Sequence, residues 1–95
     1  MYLVISRWEV IPGKENEFEE RGRAVRATLR SIPGVKLVEG YRTENGVVAV
    51  AGYESEEAYN RIVNDDNGPF AKAAEQYRLE ECGRWLSSER GESLV

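Results

Sequence analysis

The sequence predicts an α+β domain in which one antiparallel sheet carries its helices on a single face, with elements in the order strand-helix-strand-strand-helix-strand. Three observations predict it. Four segments rich in β-branched and aromatic residues alternate with amphipathic helical stretches. The two middle strand segments are separated only by Asn45-Gly46, a hairpin signal. At 95 residues, the chain is expected to form one domain over 1–95, within the size that a single core organises.

The first strand is expected over 2–11, YLVISRWEVI, where Pro12-Gly13 closes the run as turn punctuation. Both alternating sets begin apolar, Tyr2 and Val4 against Leu3 and Ile5, which predicts a central strand covered on two faces. From 14 to 32, Phe18, Val25, Leu29 and Ile32, with Gly22 and Ala24 beside them, keep the spacing of one helical face. Glu15, Glu17, Glu19 and Glu20 gather at the amino end and Arg23, Arg26 and Arg30 toward the carboxyl end, which suits the helix dipole. Pro33-Gly34 then stops the helix.

Segments 35–43 and 47–54 flank Asn45-Gly46, the pair that most readily supplies two positive φ values for a two-residue turn. The turn implies a register. Arg42 is expected opposite Ala49, Gly40 opposite Ala51 and Val38 opposite Tyr53 on one face, with Tyr41 opposite Val50 and Glu39 opposite Gly52 on the other. Ser55 is a predicted helix cap, followed by the apolar stripe Ala58, Tyr59, Ile62 and Val63. Residues 64–69 interrupt it, and Phe70, Ala73, Ala74 and Tyr77 mark a second helical piece. The last strand is expected over 81–88 around Trp85, with the tail 89–95 frayed.

This order is that of a ferredoxin-like βαββαβ sandwich. One sheet face is left bare. Trp8, Tyr41, Trp85 and Val48 or Tyr53 are too many large apolar groups for water, so the sheet of a second copy is expected to cover them.

Composition narrows the function. Net charge is −4, with 17 acidic and 13 basic residues interspersed, which opposes the basic stripe that nucleic acid binding needs. With neither a basic leader nor an apolar run of roughly 18 to 20 residues, the expectation is a cytoplasmic protein with no membrane partner. Cys82 is the sole cysteine and reads as a small buried hydrophobe; one chain then builds neither a disulfide nor a cysteine cage. Histidine is absent, which removes Ser-His, Cys-His and His-ligated metal or haem sites within the chain. The run from Asn64 to Gly68 lacks the alternate spacing and closing Glu of a calcium loop and reads as a helix-breaking turn.

Tyr53-Glu54-Ser55-Glu56-Glu57-Ala58-Tyr59 ends a strand and opens a helix. It resembles the antibiotic biosynthesis monooxygenase family, in which Trp-Glu-Ser plus an aromatic six residues on is typical. Pro12-Gly13-Lys14 before an acidic helix, Ile32-Pro33-Gly34 before the second strand, and Pro69-Phe70 opening the last helix agree with it across most of the chain.

The resemblance implies a homodimer closed as a dimeric α+β barrel, and a monooxygenase that needs no cofactor and acts on a small aromatic or quinol-type substrate. It implies that Tyr53 and Tyr59 stand at the catalytic positions, hydrogen-bonding the substrate; the alternative is that both are packing residues. Ser6, Trp8, Arg42, Ala49 and Phe70 are the candidate substrate contacts. For Ser6 and Trp8 the alternative is packing, and for Arg42 a solvated hairpin end. Ala49 matches the position of an Asn that contributes to oxygen activation in those members, and Ser6 that of a first-strand Asn in the haem-degrading ones. Lys72 and Arg78 lie near a last-helix arginine that some members use. Glu39 is a candidate general base if buried. A second function stays open beside the oxygenase, a dimeric ligand-binding or stress-related domain that keeps the cavity without the chemistry.

Overall fold

The computed structural model describes residues 1–94 and shows the expected order. Strand β1 spans Tyr2–Val10, helix α1 Glu15–Arg30, β2 Val35–Arg42 and β3 Gly46–Tyr53. The short helices α2, Glu56–Ile62, and α3, Pro69–Gln76, follow. A 3-10 turn over Leu79–Glu81 then leads into β4, Gly83–Glu92. The sheet order is β2-β3-β1-β4, antiparallel throughout, so the chain is a ferredoxin-like α+β sandwich. No helix among the described residues is long and apolar enough to cross a membrane.

The helix stripe places the core as the spacing predicts. Phe18, Gly22, Val25 and Leu29 of α1 are buried, and they meet Val4 and Val38 of the sheet with Ala58 and Ile62 of α2. Ser55 caps α2 by accepting a 3.0 Å hydrogen bond from the Ala58 backbone N–H, and Pro69 opens α3 at its first turn. Gly34, at φ 100°, makes the turn from α1 into β2.

Three details differ from the sequence expectation. The hairpin register is shifted by two residues: Arg42 pairs with Val47, Gly40 with Ala49 and Val38 with Ala51. Thr43 donates its backbone N–H to the Gly46 carbonyl at 2.8 Å, so the turn centres on Glu44-Asn45. Neither Asn45 nor Gly46 has a positive φ. Gly46 is needed for another reason: a Cβ there would drive into the Trp8 carbonyl of the neighbouring strand. A shift of two preserves side-chain parity, so the hairpin residues expected to share a side still share it.

The last strand runs past Ser88. Residues expected to fray pair with β1 instead, Ile5 with Glu89, Val4 with Arg90 and Tyr2 with Glu92. Val95, the end of that tail, lies outside the described residues. Strand β4 also carries a bulge, since Arg7 pairs with Ser87 and Trp8 with Trp85. The extra residue is Leu86, and it turns Trp85 and Ser88 to the same face, where the Trp85 indole N–H donates to Ser88 Oγ at 2.9 Å.

Third, the aromatic residues divide differently between the two faces. Trp8 and Tyr53 point toward the helices, Trp8 tilted against Phe18 with 5.9 Å between ring centroids and Tyr53 only 3% exposed. By pairing with Trp8, Trp85 lies at the helix-side edge, 58% exposed. The bare face carries Leu3, Ile5, Leu37, Tyr41, Val48 and Val50 by register, with Tyr41 56% exposed. It is still an apolar surface.

Candidate functional site

The start of β1 and the end of β3 lie side by side, so Tyr2 and Tyr53 pair directly across the sheet. The first turns of α2, capped by Ser55, bring Tyr59 down onto both. Tyr59 lies 5.6 Å from Tyr53 with the ring planes at 63°, and 5.4 Å from Tyr2 with the planes at 43°. Such tilted contacts align the positive edge of one ring with the negative face of another. Two charged groups border the trio. Glu56 accepts a long hydrogen bond from the Tyr2 hydroxyl at 3.4 Å, and the Arg90 guanidinium of β4 sits 5.4 Å over the Tyr59 ring.

Among the described residues the hydroxyls of Tyr53 and Tyr59 have no hydrogen-bond partner, and no enclosed side-chain oxygen or nitrogen is left unpaired. Both hydroxyls therefore reach the surface of the cluster, where solvent or a ligand completes them. Burial, with Tyr59 adding to it, pushes the Tyr53 hydroxyl up to about 12. At neutral pH it is a donor and cannot serve as a base.

Beyond the tyrosines the helix-side sheet face is lined by small residues. One row runs across the strands, Gly40 opposite Ala49, Ala49 opposite Ser6 and Ser6 opposite Ser88. The Ser6 and Ser88 hydroxyls share a hydrogen bond at 2.9 Å. The structure thus brings Ser6 and Ala49 together on the face that carries Tyr2 and Tyr53, with the Val4–Ala51 pair between that row and the tyrosines. The position of Ala49 carries no polar donor, and the nearest hydroxyl in its row is that of Ser6.

Trp8, Arg42 and Phe70 lie elsewhere. Trp8 is at the far end of β1, packed on Phe18. Arg42 is held by Glu19 of α1 through two hydrogen bonds, 2.8 Å from Nε and 2.6 Å from Nη2. That pairing holds the Glu19 carboxyl below its usual range and the Arg42 guanidinium above its own, so Arg42 is committed to a partner in the chain. Phe70 packs partly on the core and lines an open depression with Val63, Lys72 and Arg78. Glu39 is solvated, its carboxylate 4.0 Å from Arg30 with the side chain 67% exposed, which removes it as a buried base.

Sequence reasoning missed Arg90 and Tyr2. Arg90 sits in a stretch, Glu89-Arg90-Gly91-Glu92, of low strand propensity, and only its pairing with β1 reveals it as structured. The signal for Tyr2 was its parity with Val4 in the first strand.

The profile of the antibiotic biosynthesis monooxygenase family matches residues 1–76. No curated protein matches by sequence search. Among solved structures, the chain is similar to SnoaB, a cofactor-independent oxygenase from Streptomyces nogalater, at 18% identity and TM-score 0.79, covering 99% of this chain and 93% of that one. HapK from Hahella chejuensis gives the same 18% and 0.79 over 99% and 93% of the two chains. Rv0793 from Mycobacterium tuberculosis gives 16% and 0.78 over 99% and 95%. At these identities the likeness speaks for the fold, and the profile match over most of the chain speaks for the family. This chain belongs to the antibiotic biosynthesis monooxygenase family.

Proposed function

We propose that this chain is a cofactor-independent oxygenase that acts as a homodimer on a small aromatic or quinol-type substrate. The observation that carries the reading is the Tyr53–Tyr59 pair, two hydroxyls unpaired among the described residues at the edge of an aromatic cluster, on the sheet face that also carries the Ser6–Ala49 row. Family membership and the likeness to SnoaB support it. The apolar face bearing Leu3, Ile5, Tyr41 and Val50 supports the homodimer, since a domain of this size leaves such a surface in water only at a cost.

An electron-rich phenol bound against the tyrosine pair meets these donors at the oxygen where charge develops. Loss of its proton leaves a carbanion-like phenolate. This adds dioxygen at a ring carbon, the peroxide takes back from water the proton the phenol released to it, and the hydroperoxide then loses the ring C–H proton and breaks its O–O bond, so that phenol plus dioxygen gives quinone plus water. The protein's part is orientation and electrostatics: Tyr53 and Tyr59 donate to the phenolate oxygen, and Arg90 adds positive charge nearby.

Ala49 favours the second reading, a ligand-binding domain without chemistry, because the row across β1 and β3 has no amide to activate oxygen. Oxygen consumption with a panel of hydroquinones separates the two. The oxygenase reading expects turnover with at least one of them and a loss on the order of tenfold or more in Tyr59→Phe. Absence of turnover across the panel, with ligands still binding, gives the protein to the second reading.

A further inference from the structure

A cleft of about 180 Å³ opens between α1 and the β2 edge, at the end of the domain away from the Tyr53–Tyr59 pair. Its charges are the guanidiniums of Arg23, Arg26 and Arg42 against the single carboxylate of Glu19, and its apolar wall is Phe18 and Val47. This is a local excess of positive charge on a chain whose net charge is −4. Glu19 is spent on Arg42, which it grips through both carboxylate oxygens. Neither Arg23 nor Arg26 takes part in an ion pair among the described residues.

Arg26 is held in a built slot. A Cβ on Gly22 of α1 or on Gly40 of β2 would each come within 3.1 Å of its Nη1, and at Gly40 also within 3.3 Å of the guanidinium carbon. The group therefore sits against the backbones of Gly22 and Gly40, where a side chain on either residue would crowd it. Burial, with Arg30 and Arg23 close by, pulls its pKa below the usual value, while Glu39 and Glu19 oppose that from farther off. A half-buried cation without a carboxylate at contact distance is one whose desolvation is not repaid within the chain.

We propose that this cleft binds a small aromatic carboxylate. A planar fork of N–H donors matches a carboxylate through two parallel hydrogen bonds, and Arg26 and Arg23 both line the cleft. Tyr41 and Val47 receive the ring, and the volume accommodates a single ring. The site is separate from the tyrosine cluster and stands whether or not oxygen chemistry occurs there.

The test is amide chemical-shift titration of the full chain with benzoate, benzamide and inorganic phosphate. Benzoate is expected to move the Gly40 and Val47 amides saturably, with a dissociation constant of about 1 mM or below, and benzamide and phosphate to bind at least about tenfold more weakly. Arg26→Gln should weaken benzoate by about tenfold or more. Arg7→Gln, on the opposite sheet face, should leave it unchanged. If the Gln variant loses its dispersed spectrum, Arg26→Lys carries the same test, keeping the charge but not the fork, with a loss of roughly threefold or more. The proposal is overturned by phosphate binding as tightly as benzoate, by shifts centred on Tyr53 and Tyr59, by full affinity in the Arg26 variants, or by no saturable binding at all.

Discussion

The rings of Tyr53 and Tyr59 meet edge-on, 5.6 Å between centroids, and neither hydroxyl is bonded to another of the described residues. Packing and donor chemistry are thus carried by different atoms of the same side chains, and substitutions can separate them. Tyr53→Phe keeps the ring and removes a hydroxyl that has no partner among the described residues, so stability should change by less than about 1 kcal/mol while turnover or ligand affinity falls. Tyr53→Ala should cost about 3–5 kcal/mol. Urea denaturation together with ligand titration of both variants checks the separation.

Alkaline titration offers an independent view of the same residue. The Tyr53 pKa is raised to about 12 in the folded chain, against about 10 for an exposed tyrosine. The folded state therefore holds its proton over a range where the unfolded state has released it. Stability should be unaffected by this group below pH about 10 and fall as pH rises toward about 12, by on the order of 2 kcal/mol. Ultraviolet titration should show a tyrosine ionisation near pH 12, and Tyr53→Phe should remove that step.

Ala49→Asn places an amide in the row between Gly40 and Ser6. If the tyrosine cluster works on an oxygen-reactive phenol, oxygen uptake should rise by about tenfold or more. An unchanged rate in a folded variant argues that the row is not where oxygen is activated.

The hairpin makes a prediction that depends on its register. Gly46→Ala should destabilise by about 1–3 kcal/mol, because the new methyl meets the Trp8 carbonyl. Asn45→Ala should stay within about 0.5 kcal/mol, since Asn45 has no positive φ to protect. Under a two-residue Asn-Gly turn, Asn45→Ala would be the costly change. Denaturation midpoints of the pair decide between the two turns.

Tyr41→Glu puts a charge on the bare sheet face at its β2 edge, beside the buried Val48 it pairs with. A homodimer closed through that face should dissociate by at least about tenfold, read by sedimentation velocity across a dilution series. An unchanged sedimentation coefficient would place the dimer contact elsewhere.

Much of this architecture was legible in the sequence because it rests on periodicity. Phe18, Val25 and Leu29 repeat at helical spacing, and Ser55 is an efficient cap, so α1 and α2 were found with their buried faces. Parity made the strand faces robust: the two-residue error at Asn45-Gly46 left Gly40, Ala49 and Tyr53 on one side. What the sequence hid depends on distant contact. Both alternating sets of β1 begin apolar, so nothing local showed that Trp8 belongs against Phe18. Gly46 looked like a turn residue while serving a neighbouring strand. Arg90 and its pairing with Val4 lie in a segment whose own residues argue against a strand.

The bulge at Leu86 has a consequence for how the molecule meets its surroundings. Strand β4 is an outer strand, and its ladder is interrupted there and flanked by Arg84, Glu89 and Arg90. At the opposite rim Arg30 reaches over from α1 to take the Val38 carbonyl at 2.6 Å. Neither rim offers a clean row of free amides and carbonyls to an incoming chain. Sideways growth into a continuous ribbon is obstructed at both ends, and the surface left for association is broad and finite, one that a single neighbour can close.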